Sequence, residues 1–175
     1  QPYYSFGNGA AMRVSAVGFA ARNIDEVKTL SRAVTAISHD HPEGLKGAES
    51  VAMAIFLARQ SKTKQQIRNY IEQNYYKIGF TLDEIRGTYE FNETCQNTVP
   101  QAFEAFFEAK DFEDAIRNAV SVGGDSDTLA AIAGSIAEAY FGVPFNLRKK
   151  AESYIDNDTF RPIHTWLKRF EKMFP

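Results

Sequence analysis

Apolar residues recur every three or four positions through nearly every long segment of this 175-residue chain. That period confines it to helices packed on helices. In "NIDEVKTLSRAVTAIS" the residues Ile24, Val27, Leu30, Val34 and Ile37 keep helical spacing and predict one buried stripe. Asn23 is suited to cap the helix, and Asp25 and Glu26 occupy a first turn where the dipole favours negative charge. "GAESVAMAIFLARQ", "TKQQIRNYIEQNYY", "VPQAFEAFFEAK", "DFEDAIRNAVSV" and "DTLAAIAGSIAEAYFG" read as further helices. A short one in "TLDEIRGTY" is capped by Thr81, and "PFNLRKKAESYI" and "TFRPIHTWLKRFEKMF" close the chain. No stretch alternates apolar and polar residues as a strand would. The expectation is one all-α domain over residues 1–175, a compact multi-helix bundle. The helix carrying Ala130, Ala133, Gly134 and Ala137 should lie centrally, because small side chains let backbones approach.

Composition narrows the function classes. The net charge of −2 argues against a nucleic-acid binder. No apolar run reaches the roughly 20 residues of a membrane span. A single cysteine, Cys95, forms no internal disulfide and fits a reducing, cytoplasmic compartment.

Three stretches carry candidate chemistry. In "GGDSDT" the residues Asp125, Ser126, Asp127 and Thr128 all suit an N-cap, yet a helix needs one. Asp125 and Asp127 point apart on a regular helix and converge only if a turn leads into it. Gly123 and Gly124 permit that turn. Two converging carboxylates and a hydroxyl form a hard oxygen set suited to Mg²⁺, Mn²⁺ or Ca²⁺. Capping and cation binding both remain open on these residues alone. The spacing excludes an EF-hand, since Leu129 and Ala130 stand where an oxygen ligand and a glycine belong.

In "SFGNGAAMR", Gly7 and Gly9 flank Asn8 ahead of a helix start. Exposed amides there suit an anion such as a pyrophosphate, and Arg13 adds charge. A tight loop between two elements is the plainer alternative. "SHDHPEGLKGAE" holds His39 and His41, too few ligands for zinc with one cysteine and one further histidine, His164. His39 reads either as a helix C-terminal residue bonding the last carbonyls or as a ligand contact. The stretch from His41 to Gly44 reads as the turn between helices. The aromatic residues Phe91, Phe103, Phe106, Phe107, Phe112 and Trp166 are expected on helical faces, mostly in the core.

Together "SFGNGAAMRVSAVG", "SHDHPEGLKGAESVA" and the run from Cys95 to Gly142 resemble the ADP-ribosylglycohydrolase family, which includes the dinitrogenase reductase-activating glycohydrolases. The resemblance implies an all-α bundle around a binuclear magnesium site, with Mn²⁺ as a possible substitute. It implies metal ligation by Asp125, Asp127 and Thr128, and contact with ADP-ribose from Asn8, Gly9, Ala10 and His39. "TVPQAF", around Thr98 and Pro100, matches a stretch bordering the cleft. The implied activity removes ADP-ribose from modified protein side chains, such as arginine, or from small conjugates. The family's remaining ligands and its catalytic carboxylate belong N-terminal to the Gly-Asn-Gly loop, and no catalytic residue is identified in this chain. The expectation is therefore a fragment lacking N-terminal helices, whose uncovered apolar surface favours self-association or pairing with the missing segment. A catalytically incomplete ADP-ribose-binding module is the alternative. A purely structural domain with "GGDSDT" as a cap is the third.

Overall fold

The computed structural model describes residues 3–156, 158, 159, 161, 162, 164, 165, 168 and 169. The described residues form ten helices: α1 (Gly9–Met12), α2 (Ser15–Ala20), α3 (Ile24–Thr35), α4 (Pro42–Arg59), α5 (Lys64–Asn74), α6 (Leu82–Ile85), α7 (Cys95–Glu108), α8 (Phe112–Val122), α9 (Ser126–Phe141) and α10 (Phe145–Glu152). The fold class is all-α. Among the described residues the one β-type pairing is an isolated bridge between Gly7 and Thr94. Residues 1–142 make one compact unit and residues 143–175 a second. In the second, α10 buries no residue, and Lys149 lies over the ring of Phe145. Trp166, expected on a helical face, lies outside the described residues, as does much of the closing segment.

The first unit is organised around α4 and α9. Every residue from Val51 to Ala58 is buried. A helix apolar on all sides can be covered only by neighbours on all sides, and α4 packs against α1, α2, α3, α5, α7 and α9. Leu129, Ile132, Ala133, Ile136 and Ala137 make α9 similarly buried against α8, α7 and α4, as its small residues led one to expect. Each fully buried Ile or Leu contributes roughly 1.5–3 kcal/mol. Phe106 closes the far end, edge-on to Tyr140 and Phe141.

Helix starts follow their caps. Asn23 accepts from the amide of Glu26, Thr63 from that of Gln66 and Asp111 from that of Asp114. Three readings from the sequence need correction. Pro42 is not in a turn: it opens α4, where its missing N–H costs nothing, and His41 caps the helix by accepting from the amide of Glu43 at 3.0 Å. Phe91 lies outside any helix and is exposed. The third concerns α3. Its buried stripe is Val27, Ser31 and Thr35, spaced by four, while Leu30 and Val34, and Ile37 just past the helix end, face outward. Ser31 bonds the carbonyl of Lys28, and the two small residues let the helix pack on α4 more closely than the bulkier side would.

Candidate functional site

The loop before α1 is pinned to the start of α7. The amide of Asn8 donates to the carbonyl of Glu93 at 2.7 Å, and that of Cys95 donates to the carbonyl of Phe6 at 3.0 Å. The Cys95 thiol donates to the carbonyl of Gly7 at 3.2 Å. A side chain at Gly47 would put its Cβ 2.6 Å from Cys95 Sγ. Glycine there lets α4 lie against α7 and fixes the loop between them. Burial pushes the thiol's pKa up to about 12, so Cys95 is a packing residue rather than a nucleophile.

From this anchored loop Asn8 reaches the start of α9. Its side-chain amide donates to Asp125 Oδ2 at 2.6 Å, to Thr98 Oγ1 at 3.1 Å and to the carbonyl of Asn92 at 3.3 Å. The orientation is forced, since an amide oxygen in that position would face a carboxylate and a carbonyl. Asn8, Thr98 and Asp125 are all buried. Two of the motifs thus meet in one polar cluster, although 117 residues separate Asn8 from Asp125.

The turn before α9 is built by Gly123 at φ +80° and Gly124 at φ +59°. Gly124 lies beneath the ring of Tyr89, which would stand 2.6 Å from a Cβ there. Asp125 occupies the N-cap position, yet its side chain makes no capping bond. Its carboxylate is turned to Asn8 instead. Asp127 is exposed and accepts from the amide of Thr128 at 2.9 Å. A hydrogen bond shared with the Asp125 carboxyl, then the Thr128 amide, hold the Asp127 pKa below the ordinary carboxylate value. The Thr128 hydroxyl lies 3.6 Å from Met12 Sδ.

These donors fit a hard cation in kind. Two carboxylates and a hydroxyl on one turn are three of the roughly six oxygens such an ion takes. Among the described residues no group of three or more His, Cys, Asp or Glu side chains gathers to complete a shell.

The other candidate contacts fall beside this turn. Gly9 and Ala10 open α1, but most amides of the loop are already committed: Gly7 to Ser5 Oγ, Ala10 to the carbonyl of Gly7, Ala11 to that of Asn8. One turn of helix also carries little dipole. The loop therefore offers fewer free amides than its glycines suggest, and the Asn8 side chain is spent inward on Asp125. His39 sits past the end of α3, with its ring against the loop. Its Nε2 would be 3.4 Å from a Cβ on Gly9 and 3.5 Å from one on Gly7. Its Nδ1 lies 2.8 Å from Ser38 Oγ and 3.3 Å from Arg13 Nη2. Burial and the Arg13 charge both lower its pKa. A groove of about 370 Å³ runs alongside, lined in part by Ala10, Arg13, Val34 and Ser38. Tyr89 is the contributor that spacing alone did not single out; it emerges only because a glycine must lie under it.

The geometry, an all-helical unit with a Gly-Asn-Gly loop tied to a paired-aspartate turn, is that of a recognisable class. The ADP-ribosylglycohydrolase family profile matches residues 1–169, and the chain belongs to that family. It is similar to the human ADP-ribosylhydrolase ARH3, 27% identical over 203 residues, covering 88% of this chain and 56% of that protein. An uncharacterized protein of Archaeoglobus fulgidus is 27% identical over 153 residues, covering 78% of this chain and 50% of its own length. Among solved structures, an ADP-ribosylglycohydrolase-related protein complex superposes with a TM-score of 0.65 at 26% identity, covering 80% of this chain and 53% of that one. The chain spans about half the length of the curated relatives it matches.

Proposed function

We propose that this unit forms one wall of an ADP-ribose site and serves a metal-assisted hydrolysis that frees ADP-ribose from a modified side chain, such as arginine, or from a small conjugate. The observation that carries the reading is the bond from Asn8 to Asp125, which joins the glycine loop to the paired-aspartate turn. Asp125, Asp127 and Thr128 would hold Mg²⁺ or Mn²⁺, which when bound supplies charge to orient ribose hydroxyls and activate water. Asn8 keeps the Asp125 carboxylate in place. Gly9 and Ala10 leave room for the ligand backbone to approach, and His39 offers its free ring edge beside them. The buried free thiol of Cys95 fits a reducing, cytoplasmic setting. No helix among the described residues is long and apolar enough to cross a membrane.

Three protein oxygens rather than a full shell also support a second reading, an ADP-ribose-binding module without turnover. Calorimetric titration of ADP-ribose with and without Mg²⁺, beside a hydrolysis assay, separates the two. Binding that strengthens with Mg²⁺ and fails in Asp125→Asn and Asp127→Asn supports the site, and turnover selects the enzyme. Were "GGDSDT" only a cap, either substitution would cost at most about 0.5–2 kcal/mol of stability and leave binding intact.

A further inference from the structure

The two polar contacts at His39 Nδ1 do more than hold the ring. Arg13 Nε donates to the carbonyl of Gly9 at 2.7 Å, which fixes the guanidinium across the loop. Arg13 Nη2 then lies 3.3 Å from both Ser38 Oγ and His39 Nδ1. A guanidinium has only donors and keeps its charge at every accessible pH. An Nε2–H ring leaves Nδ1 able to accept from Arg13, whereas an Nδ1–H would set its proton against the guanidinium. Ser38, 2.8 Å from the same nitrogen, cannot make that choice. Its hydroxyl rotates and serves either tautomer.

We propose that Arg13 is a positioning residue: it locks His39 as the neutral Nε2–H tautomer, so that the ring presents a hydrogen-bond donor to a ligand oxygen at the Gly7–Gly9 loop. The geometry of the loop gives this donor its importance. With the amides of Gly7, Asn8 and Ala10 all bonded internally, the loop itself has little left to donate. Nε2 makes no hydrogen bond among the described residues, and it lies beside both glycines. Burial and the neighbouring guanidinium also keep the ring neutral, in agreement with an accepting Nδ1. The acceptor, on the reading of the site given above on which this step rests, is a phosphate or hydroxyl oxygen of ADP-ribose. The function of His39 is thus set from a residue that need not touch the ligand.

Imidazole ¹⁵N shifts read the tautomer directly in the free protein. The chain has three histidines, His39, His41 and His164, and loss of one signal set in His39→Gln assigns the first. Wild type should show Nε2–H for His39 near neutral pH. Arg13→Met should give a tautomer mixture, Arg13→Lys should restore Nε2–H in large part, and Ser38→Ala should leave it unchanged. A wild-type Nδ1–H ring, or an unaltered Nε2–H ring in Arg13→Met, overturns the proposal, as does a tautomer that follows Ser38. An ADP-ribose titration forms the second arm. Nε2 should shift on binding, and affinity in Arg13→Met should fall about tenfold, the loss of one aligned hydrogen bond. If the tautomer follows Arg13 while ADP-ribose moves no imidazole signal, the ligand reading fails and the Arg13 assignment stands.

Discussion

The cluster of Asn8, Thr98 and Asp125 and the outer face of α3 invert the usual partition in opposite senses. At the first, two polar side chains and a carboxylate are buried. At the second, Leu30 and Val34 stand out from the unit, as does Ile37 just past the helix end, 75% exposed. Burial of the cluster is tolerable because every member is bonded, Asn8 to Asp125, Thr98 to both Asn8 and the carbonyl of Asn92. Exposure of the stripe is tolerable because a few outward apolar side chains cost a fold little. The lesson is that side-chain type does not say which side of a helix or loop is inside. Partners do.

The sharpest way to break the contrast is to remove the donor at its polar end. Asn8→Ala deletes the bonds to Asp125, Thr98 and Asn92 together and leaves a buried carboxylate with less support. The expected loss is about 3 kcal/mol, the upper range for a charge-assisted bond removed from one side. Urea unfolding of wild type and variant measures it. A loss well under 1 kcal/mol would mean that water supports Asp125 as well as Asn8 does.

Much of the fold was legible in the sequence, and the reason is local. Caps such as Asn23, Thr63 and Asp111 act within three residues, so the starts of α3, α5 and α8 could be read off. The turn at Gly123 and Gly124 was legible for the same reason. The misreadings were non-local. Spacing points to the α3 stripe with the largest side chains as the inner one, whereas the small residues Ser31 and Thr35 fit against α4. His41-Pro42 looked like a turn, because the same residues that break a helix also begin one. At the site, the residue types were readable and their partners were not. Nothing in the pattern tied Asn8 to Asp125, or set His39 beside Arg13, since each pair is assembled by packing between distant helices.

At the apolar end the comparison is sharpened by two valines on the same helix. Val27 is fully buried and Val34 is 51% exposed. Val27→Ala should cost about 2 kcal/mol, from lost transfer energy and the cavity left behind. Equal losses for Val27→Ala and Val34→Ala would show that the outer stripe is covered in solution.

Acidification tests the polar region more gently. The pKa of His39 is lowered from 6.5 by burial first and Arg13 second. As pH falls below about 6.5, the unfolded chain takes this proton before the folded one does. The stability that His39 contributes is therefore present above that pH and is lost as pH falls through the lowered value. His39→Gln should show a shallower decline of melting temperature between neutral pH and about pH 5. Parallel curves for the two proteins would place the ring in water and remove the premise that Arg13 acts on a buried neutral imidazole.

The smallest effect is expected on the exposed side of α3. Val34→Ser exchanges a half-exposed apolar side chain for a polar one and leaves the buried stripe of Val27, Ser31 and Thr35 untouched. Serine has slightly weaker hydrogen-bonding discipline within a helix, and its propensity there is close to that of valine. Little apolar burial is lost at a half-exposed position, so the change in unfolding free energy should stay within about 0.5 kcal/mol. Val34 also borders the groove beside Ala10 and Arg13, and the same variant can be titrated with ADP-ribose. If stability holds and affinity falls, the groove contributes apolar contact to the ligand and the outer stripe belongs partly to the site. If both hold, Val34 is surface, and the ligand depends on the loop and His39 alone. A stability loss comparable to that of Val27→Ala would defeat the comparison itself, because the outer face would then be as buried as the inner one.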